Sequence, residues 1–298
     1  MRRRFFTLDV FTGRRFAGNP LAVVLEPEGL DTAAMQAIAR EFNLSETVFV
    51  LPPDDPAHRA KLRIFTPMAE LPFAGHPTVG TAVLLGGIDG ARSERAFVLE
   101  EKIGLVRCTV EASGEGGHAR FDLPRLPKPM GEAADASRLA AALCLAPADI
   151  GCDEFGPAKW SAGVPLTFVP VRNLDTTACA RADMAQWDAA FGGKEATAAF
   201  LYCRETADPK HAFHARMFAP AFGIAEDPAT GSAAAAFAGV FTHFSKPADG
   251  EHEIVIEQGY EMGRPSLIAL SMTIKDGKLT AASIAGDAVV VSEGTIEA

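Results

Sequence analysis

Two seven-residue stretches, 151 residues apart, decide the fold: His76-Pro77-Thr78-Val79-Gly80-Thr81-Ala82 and Asp227-Pro228-Ala229-Thr230-Gly231-Ser232-Ala233. In each, an ionisable residue precedes a proline and a glycine follows three residues after it. A run rich in alanine and leucine comes next, and proline favours the first helical position. The pattern therefore predicts helices over 78–85 and 229–240.

Two further anchors repeat in the same order. Ala17–Val24 resembles Ala162–Val169 at an offset of 145 residues, and Phe65-Thr66-Pro67 resembles Phe218-Ala219-Pro220 at an offset of 153. Ordered anchors at a nearly constant offset are typical of a duplicated unit. We therefore expect two similar lobes, each about half of the chain.

Each lobe is predicted to combine strands with one helix. β-branched and aromatic runs bounded by glycine, proline or asparagine predict strands, and these runs are 4–11, 21–25, 47–51 and 61–65. Three prolines within 123–129 interrupt regular structure, so we place the lobes at 1–126 and 127–298. A short strand is also predicted at 288–291, and the sequence does not determine to which lobe it belongs. The predicted class is α/β (α+β).

The composition of the chain indicates which classes of partner and which cellular compartment to expect. The 298 residues are 48% hydrophobic and 22% charged, with a formal net charge of −10, which is unfavourable for nucleic acid or an anionic membrane surface. No run of about 18 apolar residues predicts a membrane span. The spacing of the five cysteines fits neither a disulfide framework nor a zinc site, so we expect a cytoplasmic protein with reduced thiols. These cysteines are Cys108, Cys144, Cys152, Cys179 and Cys203.

The two predicted helix starts are candidate binding sites. Backbone N–H groups at a helix start, under the positive end of the helix dipole, suit a carboxylate. If the lobes face each other, His76 and Asp227 would flank one cleft. Asp227 is equally explained as a helix N-cap followed by proline, whereas histidine is a poor N-cap, which favours a functional role for His76.

Glu46 is a third candidate. It lies directly before the apolar run Thr47–Leu51, and desolvation raises the pKa of a carboxyl group toward the range that general acid/base catalysis needs. A solvated glutamate at a strand start remains the simpler alternative. His211 and His214 lack the companions of a metal site. A phosphate-binding loop, a dinucleotide fingerprint and a nucleophile elbow are all missing from the sequence.

Six motifs together resemble the phenazine-biosynthesis PhzF-like family, from about residue 5 to the C-terminal strand. The most specific is Glu226-Asp227-Pro228-Ala229-Thr230-Gly231-Ser232. The others are Phe16–Pro20, Ser45-Glu46-Thr47, Arg63–Pro67, Gly75-His76-Pro77 and Gly263-Arg264-Pro265-Ser266. The resemblance implies a diaminopimelate-epimerase-like fold of two pseudo-symmetric lobes, each a bent, mostly antiparallel sheet around a central helix, and a homodimer.

The resemblance also implies roles. Glu46 would be the acid/base of a cofactor-free isomerase that shifts a proton on a small cyclic or unsaturated carboxylate, similar to dihydro-hydroxyanthranilate. His76 and Asp227 would complete the catalytic set. Substrate-binding roles fall to Asn19, Gly75, Gly231 and Ser232, with no metal. Pro77 stands where many relatives have alanine, and Ala234 stands where some have histidine. Both differences could alter the shape of the pocket, so the resemblance leaves the substrate open.

Two alternatives follow from the same residues. Relatives that racemise amino acids use two cysteines at the helix starts, and this chain has none there. A non-thiol epimerase or racemase of a small amino or hydroxy acid therefore stays open. So does a non-catalytic relative that binds a small molecule, since a fold does not fix a function.

Overall fold

The computed structural model describes residues 1–90, 93–192 and 197–298, which form two compact units. The first unit contains Met1–Pro124, Arg264–Ser266 and Ser283–Ala298. The second contains Arg125–Gly263 and Leu267–Ala282. The division near Pro124 falls inside the proline-rich segment, where Lys128–Pro129 forms only a two-residue strand.

The elements of the first unit are β1 (Arg2–Val10), β2 (Asn19–Leu25), α1 (Thr32–Phe42), β3 (Glu46–Leu51), β4 (Ala60–Phe65), β5 (Glu70–Leu71), α2 (Gly75–Ile88), β6 (Arg95–Glu101), β7 (Gly104–Ser113) and β8 (Gly116–Asp122). The second unit begins with β9 (Lys128–Pro129), α3 (Ala136–Ala142), β10 (Ala158–Ser161), β11 (Pro165–Pro170), α4 (Leu174–Cys179), α5 (Met184–Phe191) and β12 (Ala198–Cys203). It continues with β13 (Phe213–Ala219), β14 (Ile224–Asp227), α6 (Gly231–Ser245), β15 (Gly250–Gln258) and most of β16 (Ser266–Lys275). The last strand, β17 (Lys278–Glu297), lies mainly in the first unit.

The strands of the first unit form a closed hydrogen-bonded ring. Its order is β17, β1, β2, β3, β4, β6, β7, β8 and back to β17, with parallel pairs only at β2/β3 and β4/β6. The strand predicted at 288–291 is thus one part of a 20-residue strand, which closes the ring by pairing with β8 and with β1.

Helix α2 fills the ring. Residues 75–86 are all buried, and a helix that is apolar on every face must be enclosed on every side. On another face of the sheet, the apolar side of α1 packs through Met35 and Ile38 against Phe49 and Phe65. Packing therefore fixes α2 from all directions, including its first turn.

The second unit repeats this topology. β10/β11 is antiparallel, β11/β12 parallel, β12/β13 antiparallel and β13/β15 parallel, which is the sequence of pairings from β1 to β6. The equivalent of α2 is α6, whose residues 233–240 are buried. The predicted pair of similar lobes, each a sheet around a helix, is confirmed.

Side-chain pairs that the sequence comparison missed also repeat. Arg63 binds Glu70 through two hydrogen bonds, and Arg216 binds Glu226 in the same way. His58 contacts Glu100 at 2.8 Å, and His211 contacts Glu257 at 2.6 Å. His214, which is buried on β13, lies between Glu257 and Glu261.

The predicted helix starts were wrong by a few residues. Helix α2 begins at Gly75, with Pro77 inside the first turn, where no backbone N–H is needed. Helix α6 begins at Gly231, and Thr230 rather than Asp227 is its N-cap. Asp227 instead ends β14. Its carboxylate accepts a hydrogen bond from the Thr230 hydroxyl, which stabilises a turn before the helix.

Candidate active site

Three predicted residues of the first unit lie together: Asn19, Glu46 and His76. His76 Nε2 is 3.3 Å from Glu46 Oε2, and Asn19 Nδ2 is 3.2 Å from His76 Nδ1. All three are buried, with exposed fractions of 0% for Asn19, 8% for Glu46 and 3% for His76. Glu46 is thus not the solvated glutamate of the alternative interpretation.

The strand order explains why these residues meet. Asn19 is the first residue of β2 and Glu46 the first of β3. Because β2 and β3 are parallel neighbours, with Leu21 opposite Glu46, both strands begin at the same edge of the sheet. The first turn of α2 brings His76 to that edge.

The protonation state of His76 follows from its surroundings. Burial lowers the pKa of His76 to about 3, so the ring is neutral near pH 7. An amide nitrogen only donates, so Asn19 donates to Nδ1, and the single ring proton lies on Nε2. His76 therefore presents an N–H to the Glu46 carboxyl group. The 3.3 Å separation is long for a charge-assisted bond, which is common before substrate binds.

Asp227 lies in a second buried network. Thr230 Oγ1 donates to Asp227 Oδ2 at 2.7 Å. Gln258, which is fully buried, donates to the Asp227 carbonyl at 2.7 Å and to Thr230 Oγ1 at 3.0 Å, and it accepts from the Thr230 backbone N–H. Sequence reasoning missed Gln258, which lies 28 residues beyond Thr230 and carries no local signal of this contact.

The two buried helices differ from the others at their starts. In the part of the chain that the structure describes, α1, α3, α4 and α5 each have an aspartate or asparagine that caps a backbone N–H. Helices α2 and α6 have no side-chain cap. Gly75 and His76 begin α2, and Gly231 and Ser232 begin α6. Each of these starts therefore offers backbone N–H groups to an anion.

Neither helix start contains a cysteine. Cys108 is on β7, and burial raises the pKa of its thiol well above the usual value. Burial also raises the pKa of Cys152 to about 12 and of Cys203 to about 11. These thiols stay protonated near neutral pH, and only a thiolate is an effective base or nucleophile.

The residues that the structure describes form neither a metal-ligand cluster nor a membrane-spanning helix. Within 1–90, 93–192 and 197–298, no group of three or more histidine, cysteine or carboxylate side chains is placed to hold a metal ion. No helix in these ranges has the length and apolar character needed to cross a membrane.

Several known proteins are similar to this chain along its whole length. A protein of Mesorhizobium japonicum named an uncharacterized isomerase is 53% identical over 99% of this chain and 98% of its own. Trans-2,3-dihydro-3-hydroxyanthranilate isomerase of Pseudomonas fluorescens is 34% identical, with 98% of each chain covered.

Solved structures agree with this picture. A phenazine biosynthesis protein of the PhzF family from Bacillus anthracis has a TM-score of 0.90 and 27% identity, with 100% of each chain covered. A Pseudomonas aeruginosa protein described as a predicted epimerase has a TM-score of 0.81 and 32% identity, with 99% of each chain covered. A hydroxyproline epimerase from Agrobacterium vitis shares the fold at a TM-score of 0.64, 12% identity, and 99% and 91% coverage. The predicted diaminopimelate-epimerase-like fold is thus confirmed.

A family model matches nearly the whole chain as well. Residues 8–294 match the family model PhzC-PhzF, described as phenazine biosynthesis-like protein. With this match, full-length relatives above 30% identity and the shared two-unit fold, the chain belongs to the PhzC-PhzF phenazine biosynthesis-like family.

Proposed function

We propose that this protein is an isomerase that moves a proton between two carbons of a small cyclic or unsaturated carboxylate. Glu46 is the acid/base. The observation that carries the proposal is the buried Glu46 carboxyl group, 3.3 Å from the Nε2 of a neutral histidine. A positioned acid/base group contributes about 10²- to 10⁴-fold to a rate.

The chemistry divides between two side chains. Glu46 takes a proton from one substrate carbon and returns it to another. His76 is neutral and its Nε2 lies 3.3 Å from Glu46 Oε2; an N–H···O bond that tightens here when substrate binds would favour the carboxylate form before proton abstraction. His76 therefore orients and tunes the base.

The uncapped helix starts support a carboxylate substrate. In the first unit, Gly75 is proposed to donate its backbone N–H to a substrate carboxylate. In the second unit, the same role is proposed for Gly231 and Ser232, and a role in binding or proton transfer for Asp227. Contact of Asn19 with substrate stays a prediction. Its amide already donates to His76.

The relatives support the reaction type. The Pseudomonas fluorescens protein carries the name of a dihydro-hydroxyanthranilate isomerase, and we propose a related substrate class for this chain. Cofactor independence belongs to the same proposal. We further propose a cytoplasmic homodimer; the five free cysteines support a reducing compartment, and light scattering would measure the dimer's mass.

A non-thiol epimerase or racemase is the second candidate. It is favoured by the Pseudomonas aeruginosa relative described as an epimerase. Such an enzyme would return the proton to the same carbon with inversion. A binding protein without turnover is the remaining alternative.

Proton exchange in D₂O, followed by NMR, tests these candidates. The compounds are trans-2,3-dihydro-3-hydroxyanthranilate and a panel of small carboxylates, with Glu46→Gln as the variant. The matched control is Glu111→Gln, at an exposed site on β7 of the same unit. We expect deuterium at a carbon other than the one deprotonated, with a loss of about 10²-fold or more in Glu46→Gln only.

Each other outcome has a distinct meaning. Deuterium at one inverted stereocentre would support the epimerase. If no compound exchanges, or if Glu46→Gln matches the wild type, the acid/base assignment is wrong and the binding protein becomes the better description.

A further inference from the structure

The guanidinium group of Arg264 binds the loop that precedes β2. Its Nε donates to the Gly18 carbonyl at 2.7 Å, and its Nη2 donates to the Ala17 carbonyl at 2.7 Å. The same Nη2 contacts Asp9 Oδ1 at 2.5 Å. Arg264 is 246 residues from Gly18 in sequence, yet both belong to the first unit.

Two more hydrogen bonds fix this loop. Asp9 Oδ2 accepts the backbone N–H of Phe16 at 2.5 Å, and the backbone N–H of Gly18 donates to the Pro265 carbonyl at 3.2 Å. Gly18 has φ +64°, and a Cβ there would lie 2.3 Å from the Val10 carbonyl oxygen. The loop is therefore held in one conformation that requires glycine.

Asn19 follows directly and carries the loop's position to His76. Its side chain is fully buried and has only two rotatable bonds, so the amide position follows the backbone. The amide lies 3.2 Å from His76 Nδ1. A backbone shift at Gly18 would move the group that determines which ring nitrogen carries the proton.

We infer that Arg264 is a positioning residue: by fixing the 16–19 loop through Asp9, Ala17 and Gly18, it holds Asn19 so that His76 keeps its proton on Nε2, facing Glu46. The catalytic consequence rests on the proposed function, but the effect on the His76 tautomer does not. A lysine cannot replace this arginine, because a single ammonium group lacks the planar fork that reaches both carbonyls and the carboxylate.

Long-range ¹H–¹⁵N NMR of the histidine rings tests the inference without any substrate. The variants are Arg264→Lys and Asn19→Asp, and the His76 signals are assigned with His76→Gln. The matched control is Arg63→Lys. Arg63 is similarly part-buried in the same unit and also makes three hydrogen bonds to oxygen acceptors, all away from this loop.

In the wild type and in Arg63→Lys, we expect one His76 tautomer with the proton on Nε2. Arg264→Lys should show a second, Nδ1-protonated population. Asn19→Asp should move the proton to Nδ1, because a carboxylate only accepts. If Arg264→Lys does not fold, Asp9→Asn weakens the same contacts and carries the same test.

Two results would overturn the inference. One is a wild-type His76 tautomer in both Arg264→Lys and Asp9→Asn. The other is an equal change in Arg63→Lys, which would mean a general loss of packing.

An activity measurement separates this inference from the proposed function. If a compound in the D₂O panel reacts, Arg264→Lys should lower kcat by about 10- to 100-fold with KM within about twofold, since Arg264 acts through Asn19. A KM increase with unchanged kcat would also contradict the inference. If no compound reacts but the tautomers change as expected, the positioning role stands and the proposed function fails.

Discussion

Replacing Glu101 with glutamine should make the protein more stable above pH 6. Glu101 ends β6 and is 7% exposed, and its Oε1 lies 2.7 Å from the Thr78 hydroxyl in the first turns of α2. That hydroxyl is also 2.8 Å from the Ala74 carbonyl, to which it donates. A hydroxyl has only one proton to donate. Because the Thr78 proton goes to the Ala74 carbonyl, the proton between Thr78 and Glu101 must come from Glu101, which is therefore a neutral acid. Glutamine preserves this donor.

The magnitude follows from linkage. Burial raises the pKa of Glu101 from 4.5 to about 8. Between these values the folded state holds a proton that the unfolded state has lost, so the free energy of unfolding falls as pH rises. The slope is about 1.4 kcal/mol per pH unit. Relative to the variant, the wild type should therefore lose about 4 kcal/mol by pH 8.

Urea unfolding at pH 5, 6, 7 and 8, followed by circular dichroism, measures this difference. All other titrating groups are shared, so subtraction of the two curves isolates Glu101. Glu111→Gln, at the exposed site on β7, should give a flat difference. A difference between wild type and Glu101→Gln that does not change with pH would refute the neutral buried acid.

Two further substitutions test the local structure. Phe16 has φ +66° and is 74% exposed. Asparagine tolerates this left-handed backbone region better than phenylalanine. Phe16→Asn should therefore raise the free energy of unfolding by about 0.5–1 kcal/mol. A lower urea midpoint would contradict this. Gln258→Leu removes three buried hydrogen bonds around Asp227 and Thr230 and should cost about 2–4 kcal/mol; an unchanged urea midpoint would show that this network is dispensable.

The sequence predicted the elements well where the signal was local. The runs at 4–11, 21–25, 47–51 and 61–65 each overlap a strand, because β-branched and aromatic side chains fit the pleated, half-buried surface of a sheet. The predicted helix starts were wrong by a few residues, because an Xaa-Pro pair is compatible with two positions. Pro77 lies inside the first turn of α2, whereas Pro228 lies in the turn that precedes α6. Side-chain contacts such as Thr230 to Asp227 decide between them.

Two adjacent glutamates, Glu100 and Glu101, have opposite pKa shifts that only the tertiary structure explains. Glu100 and Glu101 have identical side chains, but successive residues of a strand point to opposite faces. Glu100 accepts the backbone N–H groups of Asp54 and Asp55 and contacts His58, which lowers its pKa to about 2. Glu101 faces the buried helix, where desolvation raises its pKa to about 8.

By itself, the sequence determined the duplication, the mixed class of each lobe and the candidate residues, because repeats and local preferences are written along the chain. Only the tertiary structure decided that β17 closes the first ring, that Asn19 lies against His76, and that Arg264 binds the loop before Asn19. These contacts join residues up to hundreds of positions apart, and their geometry depends on how the strands pair and the helices pack.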